Sequence, residues 1–392
     1  MNVAIFTDND FDKVNGVTTT LQAALAHAPA HLRLRIYTAG ALGVEQANYL
    51  SLSSIGMPIP FYGEMRMYVP RLASYVEHAV RDQIGLIHMT TPGPIGLAAL
   101  YVARKLRLPL VGSFHTDLAA YTALLSGSQR LGALMREYMR WPYGRCARVL
   151  VPSAATRDLL VGAKGDSRKI RIWTRGVDTT LLSPARRSEH MRESWHVDDR
   201  RPAILYVGRI SREKGLDLLA PLQRRLHALG IQHRFIIAGQ GPMLDELKRT
   251  LPDAVFTGVL SREAVATAFA SADLFLFPSR TDTAGNVVLE AQASGLPVVV
   301  STCGGPSENM RPHRTGLTCD TVDVEEWAAA VATILRAPER RAAMAEVART
   351  YALSRQWTQA LSPLYATYEE MTADHAVETM PPLTAVAPGL ET

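Results

Sequence analysis

Cysteine is scarce in this chain: Cys146, Cys303 and Cys319 are the only three among 392 residues, an odd number without C-x-x-C spacing. That scarcity excludes a disulfide framework and a cysteine-built zinc site, and it points to a reducing cytoplasm. Long apolar runs are lacking too, and none reaches the roughly 20 residues that a membrane span requires. The amino terminus, MNVAIFTDND, has neither the basic flank nor the apolar length of a signal peptide. Charged residues make up only 20% and hydrophobic ones 47%, a balance that excludes wholesale disorder and fits an ordinary globular α/β protein.

The length exceeds what one core usually supports, so two domains are expected. Short β-rich runs alternate with helix-period segments: NVAIFT, LRLRIYT, LIHMT, PLVGSF, RVLVPS and KIRIW, then AILYVG, FIIAG, AVFTG, DLFLFP, LPVVVS and GLTC. Such alternation predicts parallel sheets with crossover helices. A loop-rich, Pro-containing, charged stretch breaks it midway. The expected division is a first doubly wound domain over 1–183, a linker over 184–201 and a second such domain over 202–354. A helix over 355–372 returns to the first domain, and a disordered tail fills 373–392, where Pro and small residues replace periodicity. Net charge is +5, with 24 basic against 16 acidic residues in 1–200 and 18 against 21 thereafter. The basic half fits either an acidic partner or a mildly basic solvated surface.

The most informative stretch is SRTDTAGNVVLEAQASGLPVVV, which sets Asp282 and Glu290 eight positions apart around a Gly-Asn turn. It reads as strand, loop, helix, strand, with acids at a strand's carboxyl end, where open α/β sheets bind ligands. Carboxylates accept strong hydrogen bonds from hydroxyls, so the pair suits a polyhydroxylated ligand. YVGRISREKGLDLL places Arg209 and Lys214 at another such strand end, a pair suited to a diphosphate or simply to solvent. AGQGPMLDEL turns tightly at Gly239 and Gly241, but Leu244 replaces the third glycine of a dinucleotide fingerprint. Gly304, Gly305 and Pro306 with Glu308 form a further turn able to touch a phosphate or sugar. In SFHTD, the strand-end His115 fits a packed side chain or one that hydrogen-bonds a sugar hydroxyl. Asp8, Asp10 and Asp12 read as solvated loop acids rather than a metal site. The segment 128–145 carries Arg130, Arg136, Arg140 and Arg145 among apolar residues, which suits packing on the sheet or peripheral membrane contact.

Taken in order, NGV at Asn15, TPGPIGLAAL at Thr91, SFHTD at Ser113, RGVD at Arg175, GRISREKG at Gly208, GQGP at Gly239 and TDTAGNVVLEAQASGLPVV at Thr281 make the chain resemble a retaining family 4 glycosyltransferase of the GT-B fold, as far as about residue 371. The last motif is that family's E-x7-E signature in a D-x7-E form, similar to GDP-mannose-dependent α-mannosyltransferases and sulfoquinovosyl-lipid synthases. The resemblance implies that Glu290 binds the ribose, while Asp282 and the amides near Gly285, Asn286 and Val287 hold the donor sugar. It implies that Arg209 and Lys214 grip the diphosphate beside the Gly241 turn, that Gly16 abuts it from the first domain, and that His115 approaches the transferred sugar. The implied catalytic set is thus His115, Asp282, Arg209 and Lys214. Two departures bear on the sugar pocket: Asp282 is one methylene shorter than the usual Glu, and Ala284 replaces an aromatic. The implied substrates are a nucleotide-diphosphate sugar and a glycan or lipid acceptor, with no cofactor, no metal and no nucleic acid. A UDP-sugar donor, a sugar-nucleotide epimerase and a nucleotide-sugar sensor are the competing readings.

Overall fold

The computed structural model describes residues 1–11, 15–39, 45–46, 48–59, 62–163, 165–320 and 322–379. Two parallel sheets organise it. The first lobe contains β1 (Asn2–Asp10), β2 (Arg33–Ala39), β3 (Glu45–Gln46), β4 (Tyr49–Ser51), a separate antiparallel hairpin of β5 (Ser53–Ile59) and β6 (Tyr62–Pro70), and then β7 (Leu86–Met89), β8 (Leu110–Ser113), β9 (Arg148–Val151) and β10 (Ile170–Ile172). Its sheet runs β10-β9-β8-β7-β1-β2-β4-β3, with only β3 antiparallel among the paired strands. The helices between strands are α1 (Gly16–Ala26), α2 (Leu72–Arg81), α3 (Pro94–Leu106), α4 (Leu118–Ser126), α5 (Gln129–Gly144) and α6 (Ala154–Gly162).

The second lobe begins with α7 (Glu189–Ser194) and holds β11 (Ala203–Val207), α8 (Leu219–Ala228), β12 (Arg234–Ala238), α9 (Leu244–Thr250), β13 (Val255–Gly258), α10 (Arg262–Ser271), β14 (Leu274–Phe277), α11 (Asn286–Ala293), β15 (Val298–Ser301), β16 (Gly316–Cys319), α12 (Val324–Leu335) and α13 (Pro338–Leu353). All its strands are parallel, in the order β13-β12-β11-β14-β15-β16. Runs such as AILYV and LFLF are continuously apolar because helices cover both faces of a parallel sheet. Strand order reverses between β11 and β14 here, and between β1 and β7 in the first lobe. Loops leaving the sheet at those points splay apart and leave a crevice.

The stretch read from sequence as a linker packs into the second lobe. Arg192 of α7 is 3% exposed and donates from Nη1 to Asp273 Oδ2 at 2.9 Å and to the Ser271 carbonyl at 2.8 Å. Trp195 and Val197 join the second core. Charge and proline made this stretch read as a linker, but a buried partner for Arg192 and a sink for Trp195 attach it to the second lobe. The chain crosses between lobes at Val177, whose amide donates to the Arg355 carbonyl at 2.9 Å, so the outward and returning segments lie side by side.

After crossing back, α14 (Trp357–Ala360) and α15 (Ser362–Thr379) cover one face of the first sheet. Leu361, Leu364, Tyr365, Tyr368 and Met371 pack there with Val3, Ile5, Val111, Leu150 and Trp173. The helix continues through Thr379, beyond the boundary expected at 372, because ADHAVET contains no breaker and the first proline is Pro381. Residues 380–392 of the expected tail lie outside the described residues.

Replacing Asp273 with alanine strands the buried Arg192 guanidinium and also removes the acceptor for the Ala203 amide. The expected loss of stability is about 3–5 kcal/mol, read as a lower urea midpoint for the second lobe.

Candidate active site

The crevice is built from loops at the two switch points. In the second lobe, the turn after β11 carries Arg209 and Lys214, and the turn after β14 carries Asp282. Lys214 Nζ donates to Asp282 Oδ2 at 2.8 Å, tying the two turns together. Asp282 Oδ1 accepts from the amides of Gly285 at 2.7 Å and Ala284 at 3.1 Å. Burial on its own would raise the Asp282 carboxyl, but Lys214 and these amides outweigh it and hold the group below the usual aspartate range. Burial likewise works against the Lys214 ammonium, and Asp282, with Tyr121 and Tyr206 nearby, raises it above the ordinary lysine range.

This geometry changes the expected role of Asp282. Both of its oxygens are engaged within the protein, where they shape the 282–285 turn and anchor Lys214, rather than standing open to a sugar. The turn is further braced by Asn309, whose side chain donates to the Ala284 carbonyl. Gly285 sits at φ 67°, and a side chain there would put Cβ 2.7 Å from Pro306 Cα, so glycine is required. Asn286 then opens α11 towards the first lobe. There the α1 amino terminus at Gly16 approaches so closely that an added Cβ would lie 3.5 Å from Asn286 Nδ2. Two helix amino termini therefore meet at one place, an arrangement suited to an anion.

Glu290 lies one turn further along α11, with Val287 between it and the helix start; both are partly buried. The Glu290 carboxylate makes no hydrogen bond or ion pair among the described residues. Burial pushes it up to about 7, with Arg262 opposing. Gly241 has a different reason to be glycine from the one expected: a Cβ there would collide with the Ile210 carbonyl, and one at Gly239 with the Gly208 carbonyl. The GQGP and GRI turns are packed backbone on backbone, and that contact positions Arg209.

From the first lobe, His115 arrives at the end of β8, but its ring does not stand free. It is 9% exposed, with Nδ1 3.0 Å from Arg175 Nη2 and Nε2 2.8 Å from Ser113 Oγ. Its carbonyl accepts from Thr283 Oγ1 of the second lobe at 2.5 Å. Burial first, then Arg175 and His88, push the ring well below the usual histidine range, so it is neutral. The cation beside it is Arg175, which the sequence offered only as part of RGVD. Burial lowers Arg175 to about 9, with Asp282 opposing. Tyr121 of α4, unmarked by any motif, hydrogen-bonds Thr281.

Glu308 belongs to the turn whose amides are expected to touch a phosphate or sugar; its own carboxylate caps α6 of the opposite lobe, accepting from the Ala154 and Ala155 amides at 2.7 Å each. One further expectation is corrected. Asp8 is not a solvated acid: it accepts from Thr91 Oγ1 at 2.6 Å and from the Ile95 amide at 2.8 Å at the start of α3. Asp12 lies outside the described residues. Among the described residues, no three His, Cys, Asp or Glu side chains gather as a metal cluster would require.

Residues 14–181 match the family model of Glycosyltransferase Family 4, and residues 187–351 match that of Glycosyl transferases group 1. Over its whole length the chain is 31% identical to a GDP-mannose-dependent alpha-mannosyltransferase of Corynebacterium glutamicum, covering 93% of that protein. It is 32% identical to a protein of the same description from Mycolicibacterium smegmatis, over 94% of this chain and 97% of the relative. The sulfoquinovosyl transferase SQD2 of Arabidopsis thaliana shares 31% identity over 80% of this chain and 62% of its own length. The sucrose-phosphate synthase of Thermosynechococcus elongatus superposes with a TM-score of 0.75 at 19% identity, covering 95% of this chain and 99% of that structure.

If Glu290 accepts hydroxyls from a nucleoside, its charged form binds better. Nucleoside binding measured by calorimetry should then tighten as pH rises through about 7 and lose that dependence in Glu290→Gln. An unchanged pH profile in the variant would remove Glu290 from the binding site.

Proposed function

Because the chain belongs to the family 4 glycosyltransferases, hexosyltransferases of the GT-B fold, we propose that it transfers mannose from GDP-mannose to a glycan or lipid acceptor with retention of the α configuration. The observation that carries this reading within the molecule is the partnerless Glu290 carboxylate, one turn into α11, whose amino terminus meets that of α1 across the crevice. A carboxylate for ribose hydroxyls and converging amides for phosphates are what a nucleoside diphosphate requires.

Departure of the diphosphate builds negative charge on it and oxocarbenium-like positive charge on the sugar. Arg209 and Lys214 supply cations for the first, with no metal required for that purpose. Asp282 acts chiefly through Lys214, holding the ammonium charged and in place before the donor arrives. In the front-face reaction we propose, the leaving phosphate takes the acceptor's proton while the lobes exclude water. Asp282→Asn keeps acceptors for the turn amides but removes the charge holding Lys214. Turnover should fall by about 10²-fold with donor affinity changed far less, as read by initial rates and direct binding. Activity abolished by EDTA and restored by manganese would overturn the metal-free step.

The donor is tested with a panel of labelled nucleotide sugars, measuring slow hydrolysis and transfer. GDP-mannose should be consumed fastest, and the product anomer seen by NMR should be α. The likeness to SQD2 favours one second reading, a UDP-linked sulfonated hexose, and preferential consumption of that donor would establish it.

We further propose that α5 rests on an anionic membrane surface. One face of the helix packs inward through Gly132, Met139, Pro142 and Tyr143, while Leu134 and Trp141 on another are 68% and 49% exposed, with Arg130, Arg136 and Arg140 along the same helix and Arg145 at its C-cap. No helix among the described residues is long and apolar enough to cross a membrane. Sedimentation with vesicles containing anionic lipid should retain the protein, zwitterionic vesicles should retain less, and Leu134→Asp with Trp141→Asp should release it. Equal retention of the double variant would exclude α5.

A further inference from the structure

A line of five buried polar side chains runs through the first lobe from the terminal helix to the crevice. Tyr368 Oη lies 2.6 Å from His88 Nδ1, His88 Nε2 2.8 Å from Ser113 Oγ, Ser113 Oγ 2.8 Å from His115 Nε2, and His115 Nδ1 3.0 Å from Arg175 Nη2. Tyr368, His88 and Ser113 are fully buried, and none of the three belongs to the donor site described above. Histidines and hydroxyls buried together, when hydration would serve them better, call for an account.

The direction of the line follows from its last member. A guanidinium has donors only, so His115 Nδ1 must accept. A neutral ring then carries its proton on Nε2 and donates to Ser113 Oγ. In the line we propose, the serine hydroxyl, having received, donates to His88 Nε2, which places the His88 proton on Nδ1, towards Tyr368 Oη. Burial lowers His88 to about 3 and pushes His115 well below the usual histidine range, so both rings are neutral and no second proton breaks the sequence. Trp173 walls the line: its ring lies 5.8 Å from that of His115, edge to face, and 4.7 Å beneath the Arg175 guanidinium. Arg175 also donates to the Trp173 carbonyl at 3.0 Å and, among the described residues, forms no ion pair. It is a buried cation held only by neutral acceptors, with Asp282 as the acid that acts on it across the crevice.

We propose that Tyr368, His88 and Ser113 are positioning residues for the transfer reaction: a hydrogen-bond line anchored on the terminal helix fixes the orientation of the His115 ring, whose tautomer Arg175 sets, and His115 in turn aims Arg175 at the reacting sugar diphosphate. This deepens the proposed function by assigning orientation of the crevice arginine to a helix that touches no substrate. It also explains why the chain returns to the first lobe after completing the second: α15 supplies the fixed end of the line. The ligand class that Arg175 serves is the anionic diphosphate of the donor, whose negative charge would supply the counterion the arginine lacks.

The test combines tautomer and rate. In ¹⁵N-histidine NMR of the whole protein, His88 should appear protonated at Nδ1 and His115 at Nε2, with neither becoming an imidazolium between pH 6 and 8. The opposite tautomers overturn the proposal whatever the substrate. In steady-state kinetics, Tyr368→Phe should lower kcat about five-fold while donor KM stays within about twofold. His88→Leu should lose at least as much, and His88→Gln, which keeps one acceptor and one donor, should recover most of it. A Tyr368→Phe enzyme with wild-type kcat overturns the proposal, as does a loss that matches the fall in folded fraction measured by circular dichroism. Wild-type protein that consumes no nucleotide sugar would refute the proposed function instead, leaving the tautomer measurement to decide this inference.

Discussion

The Lys214–Asp282 ion pair is the constraint on which the crevice depends. It joins the turn after β11 to the turn after β14 across the point where strand order reverses. It works with a cluster of weaker ties, in which the Arg280 amide and the Ser279 and Thr281 hydroxyls donate to the Glu213 carbonyl at 3.4 Å each. Asp282 does more than balance a charge, since its other oxygen organises the Ala284 and Gly285 amides and so sets where α11 begins. The positions of Asn286 and Glu290 follow from that start. The pair is partly shielded from water, which strengthens the attraction and makes the loss of either partner costly.

The lobes meet through contacts that belong to the same turns. Thr283, next to Asp282, donates to the His115 carbonyl, and Ser153 of the first lobe donates to the Thr283 carbonyl at 3.0 Å. Glu308 adds a charge-to-helix contact by capping α6 from the other side. Opening and closing of the crevice must therefore break or slide a short set of hydrogen bonds centred on residues 282–285. A donor that competes for Lys214 would act on the same set.

Much of this was legible in residues alone. The two parallel sheets were readable because buried strands such as AILYV and LFLF are apolar on every residue, and the motifs placed Asp282, Lys214, Gly285, Asn286 and Glu290 on the correct loops and helix. Other readings failed for identifiable reasons. The β5–β6 hairpin was not named from sequence, since Gly56, Pro58 and Gly63 interrupt its pattern. The buried pairing of Arg192 was not readable because nothing local announces Asp273, 81 residues away. The close approach of Gly241 to the Ile210 carbonyl was not readable from the GQGP motif, because the two lie on separate loops. His88 sat unremarked in LIHMT, although it lies in the middle of the buried line.

The amino-acid sequence by itself determined the α/β class, the two tandem lobes, the family and the list of side chains gathered at strand ends, because hydrophobic period and short motifs are local properties. Only the tertiary structure decided which of those side chains face a ligand and which face each other. Asp282 was paired with Lys214, His115 was locked between Arg175 and Ser113, and Glu290 was left without a hydrogen-bond partner among the described residues by distances between segments up to 280 residues apart, as His88 and Tyr368 are. Hydrogen bonds act over about 3 Å, so a role that turns on them is settled only once the chain has brought its distant parts together.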